Sequence, residues 1–321
     1  MTERKTNVFG LALRGLGFAA GAWIAYSRFA IDHAVELAPA LDAERVRFRD
    51  PVAGFLSYYA DTAAEGRPLV LVHSINAAAS AYEMKPIFDR FRGTRPIYAL
   101  DLPGFGFSER ADRVYTPELY AAAIHALLER VATPENPADV VALSLGSEFA
   151  ARAALRGTGL IRTLTLISPS GLGVRQRTAG QGGDVALSAF RFPLWSQPFY
   201  DLLTTRASIH WFLKQSFVGD PDPGLVDYCV QTAHQPRARF APLYFVSGKL
   251  FTDNALHSLY RRLELPVMVL YDRDYFVRFD ALPGLMRERP NWRADRLAPS
   301  LGLPQFERMD AVAESLTDFW G

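Results

Sequence analysis

The sequence is poor in the residues that carry metal-based or redox chemistry. Of its 321 residues one is a cysteine, Cys229, which excludes an intrachain disulfide and any cysteine-built zinc cluster. The six histidines never take the H-E-x-x-H spacing that sets two imidazoles on one helix face around a metal. No metal and no cofactor is therefore expected. Charge of one sign is missing too: 35 basic against 34 acidic residues leave a net +1. That balance provides neither the basic stripe a nucleic-acid partner requires nor a charged tail. Repeats and low-complexity tracts are absent. At 49% apolar and 21% charged, the chain can bury one large core, with room for an inserted subdomain.

Long apolar runs are also scarce, and the exception is N-terminal. From Val8 to Tyr26 every residue is apolar or glycine except Arg14, with Arg4 and Lys5 ahead. A spanning helix needs about 20 apolar residues, and this run barely reaches that length with a charge near its middle. Asn7, Arg14, Gly21 and Arg28 recur at seven-residue intervals, near one face of a helix. Residues 8–28 thus read as an amphipathic helix lying on a membrane surface or packed on the protein itself. A cleaved signal peptide fits poorly, because Ala38-Pro39-Ala40 lies well past the run and has proline in the middle. The expected location is cytoplasmic or membrane-associated through this helix.

Beyond residue 40, Arg45–Arg49 alternates like a half-exposed strand and Gly54–Ala60 forms a second. Pro68–His73 and Pro96–Asp101 are short, continuously apolar runs, as in strands buried on both faces. Tyr82–Phe91 between them is compatible with a helix. Thr116-Pro117-Glu118 starts another: threonine caps, proline takes the first turn, glutamate meets the helix dipole. A further strand and helix follow, then the strand Leu164–Ser168. This alternation predicts an α/β fold with a mostly parallel, doubly wound sheet. From Gly171 to about Leu263 the chain is aromatic-rich and lacks buried strands. Helical stretches near Phe199–Leu203, Ile209–Phe217 and Asn254–Arg262 read as an inserted helical cap. The sheet resumes at Pro266–Tyr271, followed by a helix near Leu282–Arg287, a strand at Trp292–Leu297 and a last helix, Phe306–Phe319. The expected division is residues 1–40 for the N-terminal helix and linker, 41–170 and 264–321 for the core, and 171–263 for the cap.

One turn organises these elements. The apolar strand Asp139–Leu143 stops at Ser144, and Glu148–Leu155 then carries a helical composition. Ala142 and Gly146, two residues before and after Ser144, let strand and helix pass closely while the serine side chain is pushed out at the top of the sheet. That is the physics of a nucleophile elbow. Other motifs fall around it in order. His73-Ser74-Ile75-Asn76 follows the third strand, and Asp101-Leu-Pro-Gly-Phe-Gly-Phe-Ser108 follows the fourth. Pro266–Asp274 is a strand with an acidic turn, and Leu303-Pro-Gln-Phe-Glu-Arg308 precedes the last helix. Gly104-x-Gly106 does not make a dinucleotide fingerprint, because Glu109 holds the third glycine position and the loop follows a later strand.

In these motifs the chain resembles the α/β-hydrolase superfamily from roughly residue 45 to the end. The resemblance implies Ser144 as nucleophile, the backbone N–H groups of Leu145 and Ile75 as oxyanion donors, and Asp274 as the orienting acid, with Asp272 close enough to substitute. It also implies a histidine just before Leu303, where the sequence has Gly302, and no histidine occurs after His257. A base would then come from His234 or His257 in the cap or from His73. His33, His125 and His210 have nothing catalytic nearby in sequence. An aspartate-nucleophile mechanism is disfavoured by the serine at the elbow. Phe192, Trp195, Phe199, Trp211, Phe212 and Phe217 are candidates to line a lid over a small, largely apolar ligand. The expected activity is that of a serine hydrolase acting on an apolar carboxylic ester or related acyl compound with a non-standard base. The alternatives are a catalytically silent binding protein and a lyase-type enzyme using the same pocket.

Overall fold

A computed structural model describes residues 17–174 and 182–321. Its strands are β1 (Glu44–Asp50), β2 (Gly54–Asp61), β3 (Leu69–Val72), β4 (Ile97–Asp101), β5 (Ala138–Leu143), β6 (Ile161–Ile167), β7 (Val267–Tyr271) and β8 (Trp292–Arg296). They form one sheet in the order β1-β2-β4-β3-β5-β6-β7-β8. β1 pairs antiparallel with β2 and β2 with β4, while every pairing from β4 to β8 is parallel. The continuously apolar runs lie where both faces are covered: every residue of β3 and β5 is buried. Alternate side chains serve opposite layers. Val70, Val72, Val140 and Ala142 join one core, and Leu69, Leu71, Val141 and Leu143 join the other.

Helices cover both faces: α2 (Lys85–Phe91) after a 3-10 turn at Ala81–Met84, α3 (Pro117–Val131), α4 (Gly146–Ala154), α11 (Leu282–Glu288), α12 (Pro304–Glu307) and α13 (Met309–Trp320). Thr116 caps α3 as its sequence predicts, with Oγ1 accepting from Leu119 N at 3.2 Å, worth about 1 kcal/mol. At the N-terminal end of β5 the buried Asp139 accepts from Arg95 (2.6 Å), Arg162 (2.8 and 3.1 Å) and Thr163 (2.6 Å). This pairing keeps the charge hydrogen-bonded and fastens neighbouring strands at the edge opposite Ser144.

Between β6 and β7 lie α5 (Gly183–Phe190), α6 (Ser196–Leu203), α7 (Arg206–Lys214), α8 (Pro223–Ala233), α9 (Phe240–Val246) and α10 (Ala255–Ser258), followed by a 3-10 turn at Tyr260–Arg262. The sequence reading located α6, α7 and α10 and missed the others. α8 opens on Pro223-Gly224 and relies on Asp222, which accepts from Leu225 N at 2.7 Å. α9, Phe-Ala-Pro-Leu-Tyr-Phe-Val, has the composition of a strand. The single last helix expected at Phe306–Phe319 is two, parted at Arg308 where φ is −139°.

A first helix, α1, runs through residues 17–29. Arg4, Lys5, Asn7 and Arg14 lie outside the described residues. α1 leans on the cap: Trp23 Nε1 donates to Pro198 O at 2.8 Å and Ser27 Oγ to Asp201 at 2.5 Å. His33, in irregular chain beyond the helix, meets the same carboxylate at 3.0 Å. Among the described residues no helix is long and apolar enough to cross a membrane.

Candidate active site

β5 ends in a turn that holds Ser144 at φ 50°, a left-handed conformation unusual for a residue with a side chain. Its backbone is fixed from three sides. Ser144 N donates to Ile167 O at 2.8 Å, and Ser144 O accepts from Ser147 N at 3.1 Å and Ser170 N at 3.4 Å. Such over-determination is what lets local strain persist. The half-exposed Ser144 side chain has no hydrogen-bond partner among the described residues. Gly146 is required by close approach: a Cβ there would lie 2.4 Å from the carbonyl oxygen of His73. That contact seats α4 on the loop after β3 and so draws Ser144 and Leu145 together with Ile75. Among the described residues, neither Leu145 N–H nor Ile75 N–H donates to any acceptor.

The loop after β3 is braced from behind. His73 is fully buried; its Nε2 accepts from Leu102 N at 3.0 Å, so Nδ1 carries the proton given to Ser74 O at 2.6 Å. Burial holds its pKa down at about 4, leaving the ring neutral with both nitrogens engaged. Glu83 accepts from Ser74 N (2.8 Å), Ser74 Oγ (3.0 Å) and Asn76 Nδ2 (2.7 Å). A second buried carboxylate, Glu148, accepts from Ser170 Oγ and from Thr252 N at 2.8 Å behind the elbow. Burial pushes both glutamates above their ordinary range, with those hydrogen bonds pulling the other way. Neither was singled out from the sequence. The only available signal is a lone glutamate in a largely apolar stretch, Ala81-Tyr82-Glu83-Met84.

The glycine loop after β4 wraps a carboxylate. Asp101 accepts from Ala81 N at 3.1 Å and Phe107 N at 2.9 Å, and burial raises it to about 6. A Cβ on Gly106 would fall 2.0 Å from its carboxyl carbon, so that glycine makes room for Asp101.

The two aspartates after β7 part company. Asp272 is buried and fully engaged, accepting from Arg296 Nε at 2.7 Å and Ser300 N at 3.1 Å. Burial pushes its carboxyl up, but these bonds outweigh it and the net shift is downward. Asp274 Oδ1 accepts from Phe276 N at 2.6 Å and Val277 N at 3.0 Å, while Oδ2 has no hydrogen-bond partner among the described residues. Burial raises its pKa, only partly offset by the two backbone N–H groups. Oδ2 lies 2.7 Å from where a Cβ on Gly302 would stand, and Ser216 Oγ lies 3.4 Å from that point. Glu307 closes the cap over this spot, accepting from Val218 N at 2.6 Å and Leu301 N at 3.0 Å.

No histidine is hydrogen-bonded to Ser144 or Asp274 among the described residues. His234 engages Val230 O at 2.7 Å through Nδ1, and the exposed His257 engages Asn254 Oδ1 at 2.7 Å. His33 pairs with Asp201, His125 lies 3.5 Å from Glu129, and His210 is exposed on α7. Of the aromatics expected to line a lid, Phe217 is buried and Phe199 half-buried, whereas Phe192, Trp195, Trp211 and Phe212 face solvent. Among the described residues, no group of three or more His, Cys, Asp or Glu could hold a metal ion.

Comparison with known proteins follows the same lines. No curated protein matches the chain by sequence. Among solved structures, it is similar to a serine hydrolase involved in carbazole degradation, with a TM-score of 0.66 and 17% identity, covering 86% of this chain and 99% of the other. A thermophilic esterase from Thermogutta terrifontis has a TM-score of 0.64 and 16% identity over 87% and 98%. A membrane phospholipase A, a bacterial virulence factor, has a TM-score of 0.67 and 17% identity over 98% and 96%. At such identities the likeness is one of fold. The sequence profile of the alpha/beta hydrolase family matches residues 69–315, most of the chain and all the elements that frame Ser144. The protein belongs to the alpha/beta hydrolase family.

Proposed function

We propose that the protein hydrolyses a small, largely apolar carboxylic ester or related acyl compound. In this reading Ser144 is the nucleophile and the N–H groups of Leu145 and Ile75 stabilise the oxyanion. The observation that carries it is the Ser144 hydroxyl, unbonded among the described residues, on a strained turn beside two N–H groups that have no acceptor there. Donors held ready for charge that develops only in the transition state are what acyl transfer needs. The fold likeness to a serine hydrolase and an esterase supports the same reaction class.

The base is Asp274. Among the buried carboxylates around the site, Glu83, Glu148, Asp101 and Asp272 spend both oxygens on hydrogen bonds. Among the described residues Asp274 keeps Oδ2 unbonded, beside the place a side chain at position 302 would take. Through a water standing in for that ring, the carboxylate accepts the Ser144 proton as Oγ attacks the acyl carbon. It returns the proton to the departing alkoxide, and the cycle repeats with water to free the acid. Burial raises its basicity toward the useful range. A carboxylate relay remains a weaker base than histidine, so turnover is modest.

A fluorophosphonate probe is expected to label the wild type and not Ser144→Ala, with ester turnover falling at least ~100-fold in the variant. No labelling together with unchanged turnover in Ser144→Ala overturns the reading. Tight ligand binding without turnover would favour a catalytically silent binding protein, the reading to which the lack of an imidazole at Ser144 lends support.

A further inference from the structure

The surface around α1 is at odds with exposure to water. Of residues 17–29 only Arg28 is charged, yet most of the helix is exposed, with Phe18 at 81% and Phe29 at 85%. A helix apolar on nearly all sides is ordinarily covered by protein or lipid. Among the described residues α1 is held through Trp23, Ser27 and the neighbouring His33, and its partner is α6. The chain leading into α6, α6 itself and the helix packed beside it, α7, expose their own large apolar groups: Phe192, Leu194, Trp195, Leu202, Trp211 and Phe212. Phe192 and Trp195 rings stand 4.5 Å apart, and Trp211 and Phe212 rings 4.8 Å apart. An open recess of about 520 Å³ between α1 and the cap is lined by Trp23, Tyr26, Ile31 and Val230 on its apolar side and by Asp32 and Asp201 on its polar side.

We propose that α1 and the exposed aromatic groups just before α6 and on α7 form one docking surface for an anionic lipid bilayer, lying on it without crossing. Two observations choose the occupant. Over its first 33 residues the sequence carries four basic residues, Arg4, Lys5, Arg14 and Arg28, against two acidic ones, Glu3 and Asp32. A second copy of the chain carries the same positive excess, whereas anionic headgroups complement it. The patch is also rich in tryptophan and phenylalanine, the side chains that settle between headgroups and acyl chains. The inference rests on this surface and on the charge of the N-terminal sequence, and holds whether or not Ser144 turns over an ester.

The test is co-sedimentation of the full-length chain with vesicles of phosphatidylcholine containing phosphatidylglycerol, read with tryptophan emission. The wild type is expected to pellet with the vesicles and shift its emission to the blue, with binding weakened by salt. Two exposed-residue variants, Phe18→Ser with Phe29→Ser and Trp195→Ser with Trp211→Ser, should each bind at least ~10-fold more weakly. Unchanged far-ultraviolet circular dichroism and thermal midpoints would establish that both variants fold. Wild type remaining in the supernatant overturns the proposal. Loss of binding in the α1 variant alone overturns the joint surface. Lipid-free dimerisation in the ultracentrifuge, abolished by the same substitutions and unaccompanied by vesicle binding, assigns the face to a second copy instead.

Discussion

The carboxylate of Asp274 occupies the space that a side chain on Gly302 would enter: Oδ2 stands 2.7 Å from the position of a Cβ there. The smallest enlargement of position 302 tests this relationship. In Gly302→Ala the methyl group meets Oδ2, the tip of the Asp274 side chain, so the carboxylate must turn away and loosen its hold on its two backbone donors. Overpacking of this kind costs about 1–3 kcal/mol. We expect a lower thermal midpoint together with ester turnover reduced at least ~10-fold, although Ser144 is untouched. Turnover at the wild-type level in a folded Gly302→Ala protein would remove Asp274 from the mechanism.

The pH profile offers a separate check on Asp274. A base must be ionised to act, so kcat/KM rises with pH through its pKa. Burial lifts that pKa above the ordinary aspartate value, so the acid limb of the profile should lie above the position of an exposed aspartate. Asp274→Asn should lose about 10²–10⁴-fold in turnover, the range general-base catalysis contributes, and the acid limb should vanish with it. An acid limb that survives in Asp274→Asn would belong to another group.

How far the sequence could be read depended on whether a feature was local. β3 and β5 were legible because strands buried on both faces leave uninterrupted apolar runs, and the elbow because close passage of strand and helix needs small residues at Ala142 and Gly146. The cap helices were less so: α9 has the composition of a strand, and Trp195 and Trp211, candidates from sequence to line a lid, face solvent. Long-range partners were invisible. Glu83 and Glu148 gain meaning only when folding brings Ser74, Ser170 and Thr252 to them. The two aspartates after β7 are indistinguishable in sequence. Arg296 and Ser300 occupy one, and the turn at Phe276 and Val277 aims the other at Gly302.

The elbow should trade stability for geometry. Ser144 at φ 50° bears a left-handed backbone that costs a residue with a Cβ about 1 kcal/mol or more, and glycine almost nothing. Ser144→Gly and Ser144→Ala both delete the hydroxyl, so their difference isolates the backbone. We expect Ser144→Gly to be the more stable by about 1 kcal/mol in urea denaturation. Equal midpoints would mean the turn relaxes once the hydroxyl is gone.

His73 links the fold to acid in a direction set by its burial. Its pKa falls from 6.5 to about 4 in the folded protein, so on acidification the unfolded chain binds a proton that the native ring refuses. Stability contributed by the neutral ring is complete above pH 6.5 and is lost as the pH falls toward 4. The span corresponds to about 3 kcal/mol. Asp101, raised to about 6, acts oppositely: the native state takes its proton first and gains stability as pH falls below 6. Comparing wild type with His73→Gln cancels Asp101 and every other shared carboxylate. The glutamine variant loses the ring's two hydrogen bonds and should be less stable at neutral pH. It cannot titrate, so the wild type's advantage should shrink by about 3 kcal/mol between pH 6.5 and 4, measured by urea unfolding at each pH. A gap that stays constant across this range would mean that the buried ring accepts a proton without opening the fold.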